Sequence, residues 1–196
     1  MRELKSIEER ILDSALYLIG KRGSCNIPIR AIAKEAGVNV SAINYYFRTK
    51  EEMLRHTKEF FIKNSIAIYS ILDNEEYDEE ERLVLFANEL MEYTLHYTGL
   101  GAMFREAEQL KEEDEISRSI LSVRKELHQK MHEVLTRVSG AESMIAQYNS
   151  LIFMAAFIYP ADKQDMESTE NAFIYDKDKR FEYIKHVISL MKKSKN

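Results

Sequence analysis

Val40, Ser41, Asn44, Tyr45 and Tyr46 fall close together in the segment NVSAINYYF, among the apolar residues Ala42, Ile43 and Phe47. At helical spacing the apolar three share an inner face, and the other five are turned outward. Outward-facing uncharged side chains of this kind can hydrogen-bond base edges and touch thymine methyl groups in a duplex groove. The tyrosine hydroxyls can also reach phosphates. Lys50 follows in the first turn of the next helix, where its charge and the free backbone amides together favour a phosphate.

Groupings that would do covalent chemistry are absent. There is no G-x-S-x-G elbow, no phosphate-cradling glycine loop and no H-E-x-x-H. Cys25 is the single cysteine; it has no recognisable partner histidine, cannot close an internal disulfide and belongs to no zinc motif. Glu112 and Glu113 read as a solvated face. His128 and His132 are four residues apart on one helical face, a spacing that can hold a metal. With no third ligand evident, they read as surface histidines. No enzyme, metal or cofactor is expected.

The elements that must position residues 40–50 are short and well punctuated. Ser6 and Glu9 fit a capping box that opens a first helix, with Ile7, Ile11, Ala15 and Leu18 inward and Gly20 and Gly23 at its end. Asn26 or Ile27 caps a second helix, with Pro28 in its first turn and Ile29, Ile32 and Ala33 inward; Gly37 closes it. Asn39 caps the third helix. Thr49 and Glu52 form another capping box, opening a fourth helix that runs to about Ile71. Two short helices joined through Gly37 and Val38 make a helix-turn-helix.

Beyond this head the chain reads as further helices, over roughly 79–97, 102–110, 114–138, 142–159 (ending at Pro160) and 178–193, with an acidic loop from Asp162 to Asp176 before the last. With 6 Gly and 2 Pro in 196 residues there are few tight turns, and no alternating strand pattern stands out. The fold class is therefore all-α, with about nine helices. The longest apolar run, Leu151–Tyr159, falls short of the roughly 20 residues a bilayer needs. No secretory signal opens the chain, so a cytoplasmic, non-membrane protein is expected. Net charge is -5, yet residues 1–58 carry 11 Lys/Arg against 7 Asp/Glu. A basic head on an acidic body suits contact with a polyanion at one end only.

From Arg10 to Leu54 the sequence resembles the TetR family of bacterial transcriptional regulators. The resemblance rests on Arg30, Ile32, Ala33, Ala36, Gly37, Val38, Tyr46, Phe47, Lys50, Glu51 and Leu54. It implies a DNA-binding regulator, a repressor whose operator affinity is set by a small-molecule effector. The division it implies is a DNA-binding domain over 1–50 and a helical ligand-binding and dimerisation domain over 51–196. Arg30 would contact a base or phosphate, Val40, Ser41 and Ala42 would approach bases, Tyr45 and Tyr46 would hold the backbone, and Lys50 would bind a phosphate. Asn44 stands where tyrosine is usual and Asn39 where serine is; Ile27 and Pro28 replace the usual threonines.

For the body the resemblance implies an effector pocket and a homodimer built on the last two long helices, reading a palindromic operator. Tyr69, Phe86, Tyr93, Met103, Phe104, Met131, Tyr148 and Phe153 are the expected pocket residues, suited to a largely apolar cavity; at this spacing they suit an ordinary core as well. Ile152, Ala156, Tyr159, Phe181, Ile184, Ile188 and Met191 are the expected dimer stripe, for which an intramolecular core accounts equally. The competing function is a helical protein-interaction module that binds no DNA.

Overall fold

A computed structural model describes residues 6–162 and 173–192. Nine α-helices occur among them: α1 (Ile7–Arg22), α2 (Ile29–Glu35), α3 (Val40–Phe47), α4 (Lys50–Tyr69), α5 (Glu79–His96), α6 (Gly101–Leu110), α7 (Glu115–Ser139), α8 (Ser143–Asp162) and α9 (Lys177–Met191). A 3-10 turn, Ser70–Asp73, follows α4, so the fourth helix ends two residues before the expected Ile71. Most of the expected acidic loop, including Asp165, Glu167 and Glu170, lies outside the described residues.

The chain packs as two compact units, the first taking residues 1–65 and 96–123, the second residues 66–95 and 124–196. Packing therefore does not follow the linear division at residue 50: α6 and the start of α7 join the head.

In the first unit α1 begins as its sequence dictates. The Ser6 side chain accepts from the Glu9 amide at 3.1 Å, satisfying a donor that the helix itself leaves unpaired. Ile11, Ala15, Leu16 and Ile19 are buried, while Ile7, in the first turn, is exposed. Gly23 ends the helix with φ 64. Gly20 is not the terminator expected of it. It lies inside α1, and a Cβ there would stand 2.2 Å from the carbonyl oxygen of Thr98, so glycine lets the backbones meet. A Cβ at Gly99 would likewise stand 2.3 Å from the carbonyl oxygen of Gly20. The turn between α5 and α6 is thereby seated on α1.

Lys58 of α4 fastens the same unit. It pairs with Glu106 of α6 at 2.9 Å and with Asp114 at 3.5 Å. Burial alone would lower the Lys58 ammonium, but the hydrogen bond and charge of Glu106, with Asp114, outweigh it and hold the group above its usual value.

The second unit is an apolar core of α5, α8, α9 and the facing parts of α4 and α7. Its rings run in sequence: Tyr69 to Phe86 (4.6 Å), Phe86 stacked on Phe153 (6.1 Å), Phe153 edge-on to Phe157 (4.6 Å), and Phe157 to Tyr183 (5.9 Å). Such offset and edge contacts suit the aromatic quadrupole. One charge is buried among them. Arg180 donates to Asn88 Oδ1 at 2.9 Å and to the Ile174 carbonyl at 2.8 Å, and pairs with Glu92. All three partners are needed, because an unpaired buried guanidinium is costly.

Candidate nucleic-acid interface

The helix-turn-helix is built from backbone rules before any site residue enters. Pro28, not Asn26 or Ile27, is the cap residue of α2, and it offers no side-chain hydrogen bond. Ile27 is buried instead, and the Asn26 side chain is turned to another use. At the far end of α2 the Val38 amide donates to the Ala33 carbonyl (3.0 Å) and Gly37 takes φ 64, reversing the chain into α3. Asn39 then caps α3, its Oδ1 accepting from the Ala42 amide at 2.7 Å.

Helix α3 has two faces of different chemistry. Ile43 and Phe47 are 1% exposed and anchor it to the unit's core, with Ala42 half-buried beside them. Ser41, Asn44, Tyr45 and Tyr46 face solvent, Tyr45 at 82% exposure, and Val40 is half-buried. The Tyr45 and Tyr46 rings meet edge-on at 5.3 Å, which limits where their hydroxyls can reach. The Ser41 hydroxyl donates to Asn39 Oδ1 at 2.7 Å, so it is oriented before any ligand arrives.

Two of the expected residues are cations. Arg30, in the first turn of α2, is exposed, and its guanidinium has no partner among the described residues. Lys50 is half-buried, with its ammonium donating to Asn26 Oδ1 at 2.9 Å. Asn26 thus holds Lys50 and does not cap α2, a contact across 24 residues that has no local signature. At the start of α4 the Thr49 hydroxyl accepts from the Glu52 amide at 3.0 Å, the expected cap. All eight side chains expected at this interface thus lie on α3 or at the adjoining starts of α2 and α4.

The residues expected in the body fare less uniformly. Tyr69, Phe86, Met131 and Phe153 share the buried cluster of the second unit, and Tyr93 of α5 is half-buried. Tyr148 is 51% exposed on the outer side of α8 and lines no interior. Met103 and Phe104 belong to the first unit, Met103 with its sulfur 3.5 Å from Cys25 Sγ and Phe104 edge-on to Phe61 at 5.4 Å. Two of the eight therefore fall in the first unit and six in the second. Burial, aided by Glu106, pushes the Cys25 thiol up to about 12, which leaves it inert as a nucleophile.

The expected dimer stripe divides too. Ile184, Ile188 and Met191 are buried inside their own unit, because α9 turns its apolar side onto α8 and the α5 core. Phe181 and Ala156 are half-buried in that cluster, while Ile152 and Tyr159 are exposed. Helix α8 does not end at Pro160 but continues to Asp162. Nor is it buried all round, apolar as its composition is. Phe153 and Phe157 point inward, and Met144, Ile145, Tyr148, Leu151, Ile152 and Tyr159 make an outward stripe. Residues 144–161 are long and apolar enough to cross a membrane, which the shorter run 151–159 is not.

Comparison with known proteins matches both levels of this description. Residues 11–57 match the family model of bacterial regulatory proteins, tetR family. The probable HTH-type transcriptional regulator YttP of Bacillus subtilis (strain 168) is 39% identical over 57 residues, which are 29% of this chain and 28% of that protein. An uncharacterized HTH-type transcriptional regulator in the dhlA 5' region of Xanthobacter autotrophicus is 26% identical over 148 residues, 74% of this chain and 73% of that one. The match to the Bacillus protein thus spans little more than a quarter of its length. In three dimensions a TetR-like transcriptional regulator from Rhodococcus sp. RHA1 superposes with a TM-score of 0.63 at 15% identity, covering 95% of this chain and 97% of that one. The TetR-family regulator PfmR of Thermus thermophilus gives 0.60 at 16%, covering 98% and 99%. The head thus matches the tetR family of bacterial regulatory proteins over residues 11–57, and the whole length takes the fold of TetR-like regulators.

Proposed function

We propose that this protein is a DNA-binding transcriptional regulator, a repressor that grips a palindromic operator as a homodimer and is controlled by a small molecule bound in its body. One observation carries the DNA reading. Helix α3 is pinned by Ile43 and Phe47 while Ser41, Asn44, Tyr45 and Tyr46 stand in solvent, with Arg30 exposed in the first turn of α2 and Lys50 at the start of α4. A helix held from behind, with polar side chains in front and cations at its edges, suits a major groove. In this reading Val40, Ser41, Ala42 and Asn44 read bases, and Arg30, Tyr45, Tyr46 and Lys50 hold the backbone.

Residues 1–50 are the DNA-binding domain in this scheme and residues 51–196 the effector and dimerisation domain. The outward apolar stripe of α8 favours the dimer. Its other side is packed into the body's core, where Asn149 donates to the Met191 carbonyl at 3.3 Å. A lipid-surrounded span would expose both sides, so a second copy fits the stripe better than a bilayer, and the protein works in the cytoplasm. Two-fold symmetry would set the two heads about 34–36 Å apart, one turn of duplex. The Met- and aromatic-rich core of the second unit supports an apolar effector site, and an effector acts by favouring one body state over another.

The test is selection from a random pool of duplexes with the full-length chain, followed by footprinting on the enriched sequence. Two protected half-sites one helical turn apart are expected. A chain that enriches nothing at low salt, yet captures protein partners through the head, would establish the interaction-module alternative.

A further inference from the structure

Three helices of the first unit are closed by a residue with positive φ, at the cap or one position past it. For α1 it is Gly23 and for α2 Gly37, both at φ 64; for α3 it is Arg48, at φ 55 and ψ -51. Glycine enters this region freely, whereas an arginine Cβ crowds its own backbone there. Among the described residues Arg48 is the one non-glycine with positive φ.

Its conformation is a tight one. The Thr49 amide donates to the Phe47 carbonyl across Arg48, closing a three-residue γ-turn, and the Arg48 amide donates to the Asn44 carbonyl at 3.0 Å. The positive-φ form of this turn is rare and strained. Arg48 is exposed, and its guanidinium makes no hydrogen bond or ion pair among the described residues, although Glu51 and Glu52 follow within one turn. A glycine would make the same reversal without strain, as it does after α1 and α2. Strain of this kind, held by surrounding structure, clusters at active sites, ligand clamps and switch regions.

We propose that Arg48 is a further DNA contact, its guanidinium bound to a phosphate beside the groove that α3 enters, with the γ-turn as the device that aims it. The placement supports this. Arg48 stands between exposed Tyr46 and Lys50, and next to the start of α4, whose free amides favour an anion. A guanidinium with all its donors free suits phosphate oxygens. The inference rests on the DNA-binding reading above.

It is tested with the full-length chain on two probes, the duplex that the wild type enriches from a random pool and an unrelated duplex of equal length. Arg48→Gly and Arg48→Asn remove the charge, and both residues tolerate the left-handed backbone. Each is expected to weaken binding to both probes by about tenfold at low salt and to lower the salt slope by about one. Arg48→Lys should keep the slope. Arg48→Gly should also raise the thermal midpoint, so that stability and affinity move in opposite directions. Unchanged affinity and slope in Arg48→Asn overturn the proposal, even if Arg48→Gly loses binding, because the effect then belongs to the backbone. If the wild type binds neither duplex, the DNA reading fails, and this inference with it.

Discussion

Lys50 and Ser41 are both held before a ligand arrives, one by Asn26 and the other by Asn39. They differ in what they can sense. A phosphate contact is indifferent to sequence, so Lys50→Ala is expected to weaken binding to all duplexes and to lower the salt slope by about one unit. Fluorescence anisotropy across a salt series measures this, and an unchanged slope removes Lys50 from the interface. Ser41→Ala and Asn44→Ala should instead shift which duplexes are enriched. A different residue governs acid stability. Burial, helped by Arg124, holds the His128 imidazole below its ordinary value. The unfolded chain therefore binds a proton that the folded one resists, and stability is lost as pH falls below about 6.5. Urea unfolding at pH 7.5 and 5.5 should show this loss, reduced in His128→Gln; an equal loss in the variant would assign it to other groups.

At the scale of elements, the tightest constraint is the crossing of α1 with the turn before α6. A Cβ at Gly20 would meet a carbonyl oxygen, not a flexible side chain, so the two backbone segments must separate to admit it. Gly20→Ala is expected to cost about 1–3 kcal/mol, as overpacked cores do, despite alanine's better helix propensity. Chemical denaturation reads the cost directly. A stabilised variant would mean that the turn yields easily. In sequence Gly20 looked like a helix terminator, because both roles ask for glycine and a single chain of letters does not show which backbone comes near. The caps at Ser6, Asn39 and Thr49 were legible for the opposite reason: each works on an amide three residues away.

For the molecule as a whole, an apolar surface feature is the outer stripe of α8, with Leu151 at 72% exposure. Charges placed there should block association without disturbing Phe153 and Phe157 on the inner side. Leu151→Lys with Ile152→Lys is expected to convert a dimer to monomers in sedimentation velocity, leaving helicity by circular dichroism unchanged. Operator affinity should fall by at least about tenfold, since each monomer then pays separately to bind its half-site. A double variant that remains dimeric places the interface elsewhere. Binding of the wild type to lipid vesicles would assign the stripe to a membrane.

Local patterns in the sequence determined the helices, the caps at Ser6, Asn39 and Thr49, the reversal at Gly37 and the outward set on α3, because each depends on residues within one or two turns. The head was legible for this reason. Tertiary packing decided the rest: that Asn26 holds Lys50, that Met103 and Phe104 go with the head's unit, and that Ile184 and Ile188 are core, not contact surface. Helical periodicity says which residues share a face. What that face meets depends on where distant helices come to lie, and the same apolar stripe serves a core or a partner.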